Sequence, residues 1–261
     1  MSSHVVGVSS VDDELFVFLL RWDSQVAVYS IKDYELLRHL NLPGLEPEMY
    51  NDITSCVRHK CIYTCMWDYH DFYTCIYRYD LASSATTYWP VPGKLRGLSV
   101  TPNSNLLVTC WSEPAKLIEL SGENGRFVRE IALQSDIVDP WHSVQLTTGQ
   151  LVVCQGGPSG GGLHRVCIVG DNGRLIRSYG NQSGSDVGQL NCPRHLAVDK
   201  DSQFVFVADY GNHRVVLLSP TLEFVRYFSE GKSYPQRLCF HQATRRLFVG
   251  RSGCSVTAIQ L

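Results

Sequence analysis

The chain is poor in charge and has no excess of one sign. Charged residues make up 18% of its 261 residues, below the roughly 25% of an ordinary soluble domain. With 23 basic and 25 acidic side chains the net charge is −2, which excludes a globally basic nucleic-acid binder. Long hydrophobic runs are missing: the longest clear one, Leu15 to Leu20, falls far short of the ~18 residues of a membrane span, so no membrane partner is expected. No basic-then-apolar leader opens the chain, so no signal peptide is expected. Ten cysteines are too few for a disulfide scaffold. Reduced thiols and a cytoplasmic location are the expectation. No Cys-x2-Cys pair occurs, which removes the RING type of zinc site. No G-x-G-x-x-G or P-loop motif opens a helix, and the glycine-rich stretch 156–162 reads as a flexible loop. No segment holds a 3.6-residue apolar period long enough for a helix.

What is present is repetition. A segment from Pro193, PRHLAVDKDSQFVFVADYGNHRVVLLSPTLEFVRYF, is echoed 42 residues on, from Pro235, by PQRLCFHQATRRLFVGRSGCSVTAIQL. Each has a proline, a short apolar segment, a polar turn, a second apolar run, a glycine turn and a third run. Looser units begin at Pro140, near Leu95, near Asp52 and at His4, and dividing 261 by six gives 43.5 residues per unit. The apolar runs hold 4 to 7 residues rich in Val, Leu, Phe and Tyr, with turn residues such as Asp12-Asp13 and Asp171-Asn172-Gly173 between them. Runs such as Phe204 to Ala208 are apolar on both faces, as a sheet packed between two others requires. The expected fold is therefore all-β, a single six-bladed β-propeller of four-stranded antiparallel blades. The blades fall at about 4–48, 49–94, 95–137, 138–189, 190–233 and 234–261. The last blade lacks its outer strand. Either the ring closes on three strands, or the chain is part of a longer protein, and the second reading is favoured.

Residues 207–219, VADYGNHRVVLLS, resemble the NHL repeat through Asp209, Gly211, Asn212, His213 and Arg214. The resemblance is partial at His164-Arg165-Val166, and elsewhere only the strand pattern remains. Locally, Gly211 is expected to take positive φ, Asn212 to bond its own turn backbone, and Asp209 to pair with Arg214 across it. The resemblance implies a binding platform like that of tripartite-motif proteins. There, such a propeller recognises proteins or RNA as part of a ubiquitin-ligase system. Any ligase chemistry would need a RING region absent from these residues, so the chain itself is expected not to be an enzyme and to need no cofactor.

Candidate sites are weighed on spacing. Cys56, Cys61, Cys65 and Cys75, with His59 and His70 nearby, suggest zinc only superficially. Cys65, Cys110 and Cys154 align with Ala208 and Gly250, a small buried slot where cysteine acts as a small hydrophobe. His142 and His195 align on innermost strands and can face the central channel. The other blades offer Val5, Thr54, Gly97 and Arg237 there, so no third histidine completes a metal site. The loops entering the first strand and joining the second to the third share one face, which carries Trp22, Trp67, Arg96, Trp111, Trp141, Arg194, Tyr210, His213 and Arg214. Large aromatics and arginine are the residues of binding hot spots. Residues 190–261 carry 9 basic and 5 acidic groups, a modest basic sector. The expected function is recognition of a protein or peptide partner on this face. The alternatives are single-stranded RNA held by Arg96, Arg194, Arg214, Trp141 and Tyr210, and a lyase or hydrolase centred on His142 and His195.

Overall fold

The structure is a computed structural model and describes residues 4–20, 25–42, 52–67, 74–157, 162–228 and 233–261, apart from the side chains of Leu20, Met66 and Trp67. Blade one is built from β1 (His4–Val11), β2 (Glu14–Leu20), β3 (Gln25–Ser30) and β4 (Leu36–Asn41), and blade two from β5 (Ile53–Cys56), β6 (Cys61–Trp67), β7 (Thr74–Asp80) and β8 (Thr86–Pro90). Blade three holds β9 (Leu95–Val100), β10 (Leu106–Cys110), β11 (Lys116–Leu120) and β12 (Phe127–Ala132). Blade four holds β13 (Pro140–Gln145), β14 (Leu151–Gln155), β15 (Leu163–Val169) and β16 (Leu175–Gln182). Blade five holds β17 (Pro193–Val198), β18 (Val205–Asp209), β19 (Arg214–Leu218) and β20 (Phe224–Phe228). Blade six has three strands, β21 (Pro235–His241), β22 (Arg246–Arg251) and β23 (Val256–Gln260). Each sheet is an antiparallel meander in sequence order. The chain is thus a six-bladed all-β propeller, and no α-helix occurs among the described residues.

Side-chain direction follows from period-two alternation and from one device repeated in every blade with a described first-strand opening. Strands at the middle of a blade, such as β10, β14, β18 and β19, are buried throughout because both faces meet neighbouring blades. At the head of the innermost strand the register slips by one residue, between Val5 and Gly7, beside Leu95, between Pro140 and His142, after Pro193, and between Pro235 and Arg237. A bulge turns the extra residue away from the ladder, and in three blades a proline, with no N–H to lose, opens the strand.

Below the bulge, one register row crosses each blade from channel to rim. In blade four it runs His142, Cys154, Val166, Tyr179. In blade one it runs Gly7, Phe18, Val26, Leu40, and in blade three Gly97, Thr109, Leu117, Ile131. The corresponding rim residues are Trp89, opposite Ile76, and Phe228, opposite Val215. Each rim residue packs into the wedge towards the following blade: Leu40 with Ile53 and Ile62, Ile131 with Leu151 and Val153, Tyr179 with Val205 and Val207. Burying each such side chain contributes about 1.5–3 kcal/mol. The row also corrects the slot assigned to cysteines. Cys65 and Cys154 do occupy it, but in blade three Thr109 does; Cys110 lies one residue further, opposite Leu95. All three thiols are buried, which pushes them up to about 12.

Candidate functional site: a channel cluster and a cation–aromatic ladder

The bulge places two sets of polar residues side by side. The residue after each bulge points into the channel, which gives Gly7, Gly97, His142, His195 and Arg237; Asp52 joins them, because the Cys65 N–H donates to its carbonyl at 3.3 Å. Blades one and two therefore present Gly7 and Asp52 there, not Val5 and Thr54. Spacing alone missed them because the bulge shifts the first strand by one residue. The two glycines make room for neighbours. A Cβ on Gly97 would stand 2.9 Å from the His142 ring, and one on Gly7 would meet Ile53 at 2.0 Å.

Asp52 is the hub. It is 1% exposed and accepts the N–H groups of Ile53 (3.0 Å) and Leu98 (2.9 Å), with the Arg237 guanidinium at 3.1 Å and the two histidines at 3.7 and 3.8 Å. Burial alone would raise this carboxyl. The Arg237 charge, with His195 as a hydrogen-bond donor, outweighs burial and holds it well below the usual carboxylate range. His142 and His195 stack at 3.8 Å. Burial, and the neighbouring His195, bring His142 down to about 3, and burial lowers His195 too, so both are neutral. Their tautomers are fixed by what they meet. The Leu98 carbonyl can only accept, so His142 Nε2 carries its proton at 3.0 Å; the Leu238 N–H donates to His195 Nδ1 at 3.3 Å, so His195 is protonated on Nε2.

Asp52, His142 and His195 form the one group of metal-ligand type among the described residues, with ligand atoms within 4.8 Å of one another. They do not fit a cation. Both Nε2 atoms bear protons, and Arg237 already neutralises the carboxylate. The same tautomers leave His142 Nδ1, buried and unpartnered, as the cluster's remaining imidazole lone pair.

The bulged residues themselves turn to one face, where they interleave. Arg96 lies over Trp111 (4.6 Å to the ring centroid) and over Trp141 (4.2 Å); Arg194 lies over Trp141 (4.9 Å) and Tyr210 (3.4 Å). Lys94 caps the Trp111 end at 4.7 Å. At the other end Tyr210 stacks on Tyr234 at 4.6 Å, and His213 meets Tyr234 at 3.9 Å. Arg96 also pairs with Asp139. Lys94, Trp111, Arg96, Trp141, Arg194 and Tyr210 thus alternate cation and ring in one continuous stack, which Tyr234 and His213 extend with rings alone. Trp111, Trp141, Arg194 and Tyr210 are half-buried, and Tyr234 is 37% exposed. Trp141 Nε1 has no hydrogen-bond partner among the described residues. Gln236, the bulged residue of blade six, is buried and takes no part in the stack.

Of the face residues expected from sequence, Arg96, Trp111, Trp141, Arg194, Tyr210 and His213 come together. Trp22, the Trp67 side chain, and the central part of the glycine-rich loop, 158–161, lie outside the described residues. Gly157 to Gly161 also spell G-x-S-x-G, but this string joins two strands, β14 and β15, and so is not a strand-to-helix nucleophile turn. Arg214 is not on the face. It is buried, donates to Asp209 (2.7 Å), the Ser185 carbonyl (2.7 Å) and the Gln189 carbonyl (3.0 Å), and lies over Tyr227. Asp209 and Arg214 thus pair across the turn. The rest of the turn differs from expectation. His213, not Gly211, takes positive φ (56°), and Asn212 bonds Asp209 and the Gly184 carbonyl, both at 2.8 Å. Gly211 serves close approach instead: a Cβ there would lie 2.4 Å from Asn191.

Residues 190–216 match the family model for the NHL repeat. That stretch covers β17, β18 and the start of β19, the segment that the Asp209–Arg214 pair ties together. No curated protein shows significant sequence similarity to the chain. Among solved structures, the chain is similar to hydrazine synthase of Kuenenia stuttgartiensis (TM-score 0.68, 13% identity, 98% of this chain and 83% of that one). It is similar to a Bacteroides caccae protein of unknown function (TM-score 0.66, 16%, 95% and 82%). It is also similar to the β-propeller domain of Myceliophteria thermophila Cps50 (Swd1) (TM-score 0.62, 13%, 98% and 83%). At such identities the likeness is one of fold.

Proposed function

We propose that this NHL-type propeller is a non-enzymatic binding module that recognises a protein or peptide on the face bearing the Trp111–Arg96–Trp141–Arg194–Tyr210 ladder. The ladder itself carries the reading. It holds large rings and guanidinium groups in fixed rotamers at a half-exposed surface, so little side-chain entropy remains to be lost on docking. Each cation–ring contact is worth about 0.5–1 kcal/mol where exposed, enough in series to preorganise the surface. A peptide is favoured over RNA because Arg96 is already engaged by Asp139 and Arg214 is buried. That removes two of the three arginines a phosphate backbone would need. By resemblance to tripartite-motif proteins, such a module would select substrates for a ubiquitin ligase supplied elsewhere.

The test is selection of peptides from a displayed random library on the wild-type propeller, with Trp141→Ala and Arg194→Ala as counter-targets whose folding is checked by circular dichroism. Enriched peptides should lose at least tenfold in affinity on both variants. Peptides that bind all three proteins equally would sink the reading. A random RNA pool bound with a steep salt dependence and lost on Arg194→Ala would replace it by the nucleic-acid alternative.

A further inference from the structure

In a stack of rings and cations the faces are covered and the edges are what a partner meets. Trp141 belongs to blade four, and the guanidiniums over it, Arg96 and Arg194, to blades three and five. They therefore take its opposite faces, at 4.2 and 4.9 Å from the ring centroid. Tyr210 has Arg194 on one face at 3.4 Å and Tyr234 stacked on the other at 4.6 Å. Lys94 and Arg96 both lie over Trp111. The edges left at the surface are alike in sign. An aromatic ring is electron-rich on its face and electropositive at its edge. A guanidinium holds five N–H donors in its own plane and has no acceptor. Lys94 adds an exposed ammonium. The chain itself shows what such a strip takes. Asp139, just ahead of β13, sets its carboxylate on the Arg96 guanidinium. The same carboxylate lies near the Nε1 edge of Trp141, because a Cβ on Gly157 would stand 2.6 Å from Asp139 Oδ2 and 3.4 Å from Trp141 Nε1.

We propose that the ladder recognises an extended acidic segment of a partner protein, whose Asp and Glu carboxylates meet the edges of the stack as Asp139 meets Arg96. The proposal rests on the ladder being the binding face and adds the chemistry of what binds there. Arg194 is the central contact. Held between two rings, it keeps its fork of N–H donors in a fixed plane that matches a carboxylate. Lys94 is a weaker contact at the end of the stack. The segment is extended because the stack runs from the entry of blade three to the entry of blade six. Charge complementarity of this kind sets the choice of partner more than the raw affinity. RNA also carries anions, but an unpaired base is held by stacking on an open ring face, and Trp141 and Tyr210 have both faces covered.

The probe is a fluorescein-labelled octapeptide of alternating glutamate and serine, with glutamine in place of glutamate as its control. Anisotropy titration should show saturable binding of the glutamate peptide to the intact chain, at least tenfold weaker for the glutamine peptide, a comparison that needs no protein variant. Arg194→Lys keeps the charge and loses the planar fork, so it should weaken binding at least fivefold. Arg177→Ala, on an outer strand where Arg177 pairs with Glu223, should leave binding unchanged. Absent binding, equal binding of the two peptides, or an equal loss on Arg177→Ala would overturn the proposal. The library selection separates it from the reading it rests on. Selected peptides that need Trp141 but carry no acidic residue would overturn the acidic segment and leave the face as the site, whereas peptides indifferent to Trp141→Ala would remove both. A random RNA pool held more tightly than the glutamate peptide and lost on Arg194→Ala would give the strip to nucleic acid.

Discussion

Trp141 and His142 are neighbours in the chain and opposites in the fold. The same holds for Arg194 and His195, and for Arg96 and Gly97. In each pair the bulge sends the first side chain to the face and the second into the channel. The two resulting clusters use similar residue types under different physics. In the channel, a largely covered Arg237 is held beside a carboxylate that is 1% exposed, and the two histidines around it are buried. On the face, Arg96 and Arg194 lie between rings at a surface that water still reaches. A buried ion pair is costly to break from one side, whereas a cation–ring contact at a surface is weak singly. The contrast ties the channel to stability and leaves the face free for the recognition proposed above.

The largest expected effect tests that assignment from the channel. Asp52→Ala takes the carboxylate from the Arg237 guanidinium, which keeps the neutral carbonyl acceptors of Val6 and Gln236, and leaves the Leu98 N–H without its acceptor. It should cost about 3–5 kcal/mol, read as a fall in the urea midpoint at unchanged slope. Replacing both partners by leucine should recover most of that loss, since a paired apolar substitution leaves no orphaned charge. A cost below about 1 kcal/mol for the single variant would mean that the channel does not hold the blades together.

The next effect is one of pH. His142 has a folded-state pKa of about 3 against an ordinary value of 6.5, and His195 is lowered in the same direction. The unfolded chain therefore binds protons that the folded chain refuses. The contribution is complete above pH 6.5 and is lost progressively as pH falls towards 3. Asp52, lowered in the same sense, extends the loss to still lower pH. Stability measured by denaturant titration should decline from pH 6.5 to 4, and His142→Leu should flatten the decline. Ladder variants such as Trp141→Ala should leave its shape unchanged.

Much of the fold was legible because it rests on repetition. The 42-residue offset between Pro193 and Pro235, and the alternating apolar runs, are visible without coordinates. Most of the ladder was legible for the same reason, since Arg96, Trp141 and Arg194 sit at one repeated position. The channel was not. A one-residue bulge moves five of the first strands out of simple alternation, so Asp52, legible only as the start of its repeat, does not read as a channel residue and Thr54 stands in its place. Arg214 was misplaced because a charged residue beside a turn reads as exposed. Only the structure shows Asp209 and two loop carbonyls closing around it.

The smallest expected effect tests the face. Lys94 is exposed and caps the ladder at Trp111, 4.7 Å from the ring centroid. Removing it orphans no buried group, since Trp111 keeps Arg96 on its ring at 4.6 Å. Lys94→Ala should therefore change stability by no more than about 0.5 kcal/mol, a shift of roughly 2 °C or less in Tm, while tryptophan emission moves as the cation leaves the ring. Peptides selected on the wild-type face should weaken only modestly, by less than on Trp141→Ala, because Lys94 sits at the end of the stack and Trp141 at its centre. A loss of stability near 2 kcal/mol would show that the ladder is a structural strut whose contacts are not free to serve a partner, and the division between channel and face would fail.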